Sequence, residues 1–193
     1  MNETIKNLLE RRSVRGYKED LVPEEVLNEI LEAGEYAPSG MGQQGTLMVV
    51  TQNPELVAKL SKMNADVMGT ESDPFYGAPT VVVVFADSNM PTCVENGSLV
   101  MGNLMNAAHA LGVDSCWIHR AREVFASEEG SSADGYGRVS TVKGDGNGRG
   151  SSGAGAQDQR RVKEKFSLRD YGLTEDEEHA IVSYKSGDSY SLN

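Results

Sequence analysis

ENGSLVMGNLMNAAHAL, residues 95 to 111, is the stretch that decides how this chain folds. Leu99, Val100, Leu104, Met105, Ala108 and Leu111 recur at helical spacing, with Gly97, Gly102, Ala107 and Ala110 interleaved. The pattern predicts a long helix that is apolar over most of its girth and must therefore be buried. Small residues let another helix approach closely, so it belongs at the centre of the domain or at a contact between two copies of the chain. Gly112 ends it. His109 reads as a packed histidine rather than a base.

Working outward, TVVVVFA at 80 to 86 is apolar throughout and β-branched, which predicts a central strand covered on both faces. Residues 47 to 51 form a shorter strand. Residues 115 to 119 are expected to form a second inner strand, with Trp117 and Ile118 on opposite faces. Ile5, Leu8 and Leu9 predict a first helix from Glu3 to about Arg12. Pro23 suits a first helical position, and Val26, Leu27, Ile30, Leu31 and Ala33 then make one apolar face before Pro38 stops the helix. Asn53-Pro54-Glu55 caps a further helix bearing Leu56, Val57 and Leu60. A short helix is expected over 122 to 129, another over 160 to 171, and a final strand over 179 to 184.

At 193 residues the chain suits one domain, 1 to 193, with a sizeable core. Between residues 131 and 157 lie eight glycines, five serines and almost no large apolar group. So little burial does not offset the entropy of ordering the chain, which predicts a flexible insertion over 131 to 160. The run GDGNGRG at 144 to 150 lacks both the lysine of a phosphate loop and the closing glutamate of a calcium loop. No metal is expected. Cys93 and Cys116 give no framework pattern, so no disulfide is expected either.

Asp and Glu outnumber Lys and Arg by 29 to 18, for a formal charge of -11. A broad nucleic-acid surface is therefore unexpected, because phosphate backbones reward clustered positive charge. The opening MNETIKNLLERR has no apolar run suited to a signal peptide, and no segment approaches a membrane span. A soluble, cytoplasmic protein is the expectation.

Against that acidic background Arg11, Arg12, Ser13 and Arg15 fall within five residues. Guanidinium forks and a hydroxyl suit a phosphate. The competing reading is that Arg11 and Arg12 close the last turn of a helix, where cations satisfy free carbonyls. Further on, Pro38, Ser39, Gly40, Met41, Gly42 and Gln44 lie in a stretch too rich in glycine and proline for regular structure. It serves equally as a loop whose amides approach a flat ligand or as a helix-to-strand connector. Asn64 lies in a polar stretch, where it suits a ligand contact or a turn.

Taken in order, these segments resemble the FMN-dependent nitroreductases. The resemblance is carried by RRSVRGY at 11 to 17, APSGMGQQ at 37 to 44, DPFYGAP at 73 to 79, ENGSLVMGNLMNAAHALG at 95 to 112 and DSCWIHRAREVFASEEG at 114 to 130. It implies an α+β fold with a mainly antiparallel sheet surrounded by helices, and two subunits interlocked around a long central helix. Two FMN molecules would lie at that homodimer interface. By position, Arg11, Arg12, Ser13 and Arg15 would hold the phosphate and one flavin edge. The loop of Pro38, Ser39, Gly40, Met41, Gly42 and Gln44 would reach in from the second subunit. Asn64 would lie near the ring, and Ile118 and His119 would offer backbone amides beside its redox-active nitrogen.

The implied activity is a two-step cycle in which NADH or NADPH reduces FMN and leaves, after which a flat acceptor such as a nitroaromatic or quinone is reduced. The coenzyme would carry the chemistry, with no side-chain acid, base or nucleophile required. This chain departs from the pattern in three places. Gly42 stands where many relatives have asparagine, the glycine-rich stretch interrupts the path into the next helix, and HAIVSYKSGD is not followed by the usual lysine-arginine pair. Fewer charge-assisted bonds to the phosphate would remain, so a flavin-binding protein without turnover is the alternative reading.

Overall fold

The computed structural model describes residues 1–125 and the strand Val182–Tyr184. In chain order the elements are α1 (Glu3–Glu10), α2 (Glu24–Glu35), a 3-10 turn (Gly40–Gly42), β1 (Thr46–Thr51), α3 (Pro54–Met68), β2 (Val81–Ala86), α4 (Cys93–Ala110), α5 (Ala121–Phe125) and β3 (Val182–Tyr184). The strands form one antiparallel sheet in the order β2-β1-β3, with Val49 opposite Val83 on one side and Ser183 on the other.

Alternation along β1 sends side chains into two cores. On one face Val49, Val83 and Phe85 meet Leu56 and Leu60 of α3 and Val124 and Phe125 of α5. Phe85 and Phe125 meet edge to face with centroids 5.1 Å apart, a favoured arrangement for ring quadrupoles. Met48 and Val50 face the other way, onto Ile30 and Leu31 of α2 and Val100, Leu104 and Ala108 of α4. Helices thus cover both faces of an antiparallel sheet, the α+β arrangement expected.

Several boundaries and one strand order differ from expectation. TVVVVFA is an edge strand among the described residues, and β1 is the middle one. Its apolar run reflects helices above and below, and burial of a strand's faces says nothing about pairing at its edges. Pro23 is the N-cap of α2 rather than its first residue. On that helix Ala33 is only half-buried and Gly34 takes the buried place, because a Cβ there would stand 2.8 Å from both Leu104 Cδ2 and Met48 Sδ. Its lack of a side chain lets α2 and α4 pack closely, and Asn103 Nδ2 donates across the same contact to the Ala33 carbonyl at 2.8 Å.

Residues 115 to 119 do not form a strand: their described ladder contact is a single parallel bridge, Ser13 to Ser115. Their side chains are pinned on one side only, with Ile118 packed on the α3–α5 core and Trp117 exposed. Asn64 lies within α3 rather than in a loop, and it is buried. On α4 one stripe is buried, Cys93, Asn96, Val100, Leu104 and Ala108, while Val94 and Leu99 remain 43% and 45% exposed. The girth-wide burial expected of this helix is therefore half realised within one chain. α1 has no buried residue at all, although Ile5, Leu8 and Leu9 line one side of it. The insertion and helix expected between 131 and 171 lie outside the described residues.

Candidate functional site

The basic cluster begins where α1 ends. Glu10 is the last helical residue and Arg11 is the C-cap, its N–H donating to the Asn7 carbonyl at 3.0 Å. Arg12 folds back, and its Nη1 donates to the carbonyls of Leu9 at 2.6 Å and Arg11 at 2.7 Å. For Arg12 the helix-closing reading is the right one. Arg11 behaves differently: its Nη1 is buried without a hydrogen-bond partner. A buried, unsatisfied charged donor is expensive and calls for an anion. Ser13 and Arg15 are exposed.

Backbone pairing ties this cluster to the segment after α4. Val14 N donates to the Ser115 carbonyl at 3.2 Å, beside the bridge from Ser13 to Ser115. Tyr17 Oη donates to the Val14 carbonyl at 2.7 Å. Burial pushes the Tyr17 phenol up to about 12, with Cys116 and Asp114 adding and Arg15 opposing, so both segments contribute to one electrostatic neighbourhood. Ser115 Oγ is a second buried atom without a partner. Nothing in the sequence distinguished Ser115; its parallel pairing with Ser13 is what places it here.

The 38–44 loop is internally bonded. Ser39 Oγ accepts from Gln44 N at 2.9 Å, Gly42 N donates to the Ser39 carbonyl, and Gln43 N to that of Gly40. Met41 and Gln44 have φ of 54° and 50°, a left-handed conformation unfavourable for side chains other than glycine. Such strain gathers at ligand-handling sites and needs support from outside. Here the support is Asn96, whose Oδ1 accepts from Gly40 N at 2.9 Å. Sequence reasoning passed over Asn96. Its signal was a polar residue at one position of an otherwise apolar helical stripe, 93, 96, 100, 104 and 108.

Within one chain the cluster and the loop do not meet. The loop sits beside Asn96 near the start of α4, whereas α1 sits beside its end, where Asn7 Nδ2 donates to the Asn106 carbonyl at 2.9 Å. Ten residues of helix separate these anchors by about 15 Å. Asn64 lies on the opposite side of the sheet, with Oδ1 buried and unpartnered. Ile118 packs on that same side, and exposed His119 stands with its ring 6.2 Å from that of Trp117. DPFYGAP is spent on a turn: Asp73 accepts from Phe75 N, Gly77 N and Ser61 Oγ.

A cavity of about 800 Å³ lies between β2 and residues 113 to 119. Its described walls include Val82, Val84, Met101, Met105, Ile118 and His119, but not the arginine cluster, the loop or Asn64. Polar chemistry and this hollow thus lie apart, sharing only Ser115 among the orphaned atoms. The orphaned Arg11 Nη1 is the better guide, because an apolar hollow carries no unmet demand for a charged ligand. Among the described residues no group of His, Cys, Asp and Glu could hold a metal, and Cys93 and Cys116 are free. No described helix is long and apolar enough to cross a membrane.

These features define an α+β domain with a strained loop near the start of α4 and an arginine cluster near its end. The chain belongs to the nitroreductase family, whose profile matches residues 8–125. It is similar to a nitroreductase from Bacteroides fragilis solved with bound FMN: 28% identity, TM-score 0.62, covering 66% of this chain and 75% of the other. An FMN-dependent nitroreductase from Clostridium difficile is 30% identical with TM-score 0.61, covering 66% of this chain and 65% of that one. A protein of Methanothermobacter thermautotrophicus, provisionally named NADH dehydrogenase/NAD(P)H nitroreductase, is 27% identical over 124 residues. That match spans 60% of each of the two chains.

Proposed function

We propose that two copies of this chain bind FMN between them and use it to pass electrons from NADH or NADPH to flat, electron-poor acceptors such as nitroaromatics or quinones. The observation that carries the reading is the buried, unpartnered Arg11 Nη1. It fits a phosphate, as do the exposed Ser13 and Arg15 beside it. Names of relatives support the chemistry: FMN is bound in the Bacteroides fragilis structure, and a Bacillus subtilis relative is named FMN reductase [NAD(P)H].

The pairing argument comes from α4. Two antiparallel copies of this helix about a two-fold axis would set the loop end of one against the arginine end of the other, closing the gap of about 15 Å. The half-exposed Ile5, Leu8, Leu9, Val94 and Leu99 provide the apolar surface such a contact needs. In that arrangement Arg11, Ser13 and Arg15 would hold the phosphate, while Arg12 keeps its bonds to the end of α1. Pro38 to Gly42 of the second copy would cover the ring, and the Ser39 hydroxyl and the Gln44 side chain would donate to its polar edge. Asn64, 3% exposed on the other face of the sheet, is given no contact here, and the amides of Ile118 and His119 would face the reacting nitrogen. When bound, FMN supplies hydride acceptance from the nicotinamide and two-electron delivery to the acceptor. The protein's part is to orient and to exclude water, which is why no side-chain base is assigned.

The test begins with the visible spectrum of the purified protein, which should be yellow or become so on adding FMN. NADPH or NADH oxidation should then proceed with a nitroaromatic or quinone well above the rate of free FMN. A protein that stays colourless and leaves FMN fluorescence unchanged refutes the reading. One that binds FMN without turnover is a flavin-binding protein instead.

A further inference from the structure

The loop 38–44 cannot set its own position. Its hydrogen bonds close on themselves, through Ser39 Oγ to Gln44 N and through two backbone contacts, so they fix its shape and not its place. Among the described residues, one hydrogen bond joins 38–44 to the body: Gly40 N to Asn96 Oδ1 at 2.9 Å, across 56 positions of sequence. Asn96 is 2% exposed and stands in the buried stripe of α4, where an apolar side chain would pack at no electrostatic cost. Among the described residues its Nδ2 has only the sulfur of Met90 at 3.8 Å, a weak acceptor. A half-satisfied amide held in a core has its use in the one strong bond it makes, and that bond goes to the loop.

Contact reinforces the tether. A Cβ on Gly40 would stand 2.3 Å from Thr92 Oγ1 and 3.2 Å from Thr92 Cγ2, so the backbone at 40 lies flat against the residue that precedes α4. Asn96 draws this backbone in and Thr92 stops it. Met41 and Gln44, held at φ of 54° and 50°, then project from a fixed base.

We infer that Asn96 is the positioning residue of this loop: by fixing Gly40 against Thr92 it sets how far residues 38–44 reach towards the cofactor. The inference rests on the reading above that this loop meets FMN. It assigns Asn96 no contact with the coenzyme and no chemical step.

The experiment uses full-length protein. Asn96→Leu removes the acceptor at nearly constant volume and leaves the Gly40 N–H without a partner. Amide hydrogen exchange at residue 40, read without FMN, should accelerate at least tenfold, and the FMN dissociation constant should rise about tenfold, the size expected for a lost buried hydrogen bond. Gly40→Ala should weaken FMN binding similarly while α4 is untouched, and adding Thr92→Ala, which removes the 2.3 Å contact with Oγ1 and leaves Cβ at 3.2 Å, should restore most of it. That rescue separates position from general stability, since two destabilising changes would otherwise add. Unchanged exchange at residue 40 in Asn96→Leu overturns the inference, and so does failure of Thr92→Ala to restore FMN binding in a folded Gly40→Ala protein. If Asn96→Leu does not fold, the Gly40 and Thr92 pair decides. If the wild type binds no FMN, the function proposed above fails, and exchange at residue 40 still reports whether Asn96 holds the loop.

Discussion

Leu99→Ala addresses the surface that one chain leaves uncovered. Leu99 is 45% exposed and belongs to neither core, so its truncation should leave the folded monomer nearly unchanged. In a paired molecule it loses contact area in both copies at once. About 50 Å² of apolar surface per copy, at about 25 cal/mol per Å², comes to about 1.3 kcal/mol per chain, about 2.5 kcal/mol for both, or roughly 70-fold in the dimer dissociation constant. Sedimentation velocity over a dilution series of wild type and variant measures this directly. The reasoning is refuted if the wild type sediments as a monomer throughout, or if the variant associates as tightly as the wild type.

Further outcomes follow from particular contacts. Leu31→Ala, at a site with 0% exposure, should cost about 2–5 kcal/mol in urea denaturation, because a cavity adds to the lost transfer energy. Arg11→Ala should weaken FMN binding far more than Arg12→Ala in calorimetric titration, since Arg12 Nη1 is already engaged by two carbonyls. Burial works to raise the Asp73 pKa, but bonds from Ser61, Gly77 and Phe75 outweigh it and hold the carboxyl below its usual value. The sign is that of a depressed acid: its stabilisation is full above the unfolded pKa and is lost as pH falls through the lower folded one. Denaturation midpoints between pH 5 and 2.5 should therefore fall less steeply with acid for Asp73→Asn than for wild type.

Much of the architecture was legible because it rests on local periodicity. The repeats of α2, α3 and α4 and the cap at Asn53, whose Oδ1 accepts from Glu55 N and Leu56 N, are written within a few residues. What stayed hidden depends on distant partners. TVVVVFA could not disclose that it sits at a sheet edge, since covered faces and paired edges leave the same apolar run. Residues 115 to 119 alternate like a strand, yet their pairing partner, Ser13, lies about a hundred positions away and supplies one bridge. The arginine cluster was visible as a unit, but only the folded structure divides Arg12, which closes a helix, from Arg11, whose Nη1 is left unsatisfied. Asn64 and Asn96 were ambiguous for the same reason: burial of a polar side chain is a tertiary fact.

The measurement that bears most directly on a flavin held between two copies is complementation between two FMN-deficient variants. Arg11→Ala damages the phosphate seat, and Gly40→Ala damages the loop. If each site takes its seat from one chain and its loop from the other, a mixed dimer carries both lesions in one site and none in its twin. Unfolding and refolding the variants together should then restore FMN binding at about one site in four, the statistical share for equal mixing in a two-fold dimer. No restoration, with mixed dimers demonstrably formed, would place seat and loop of each site in the same chain and contradict the account.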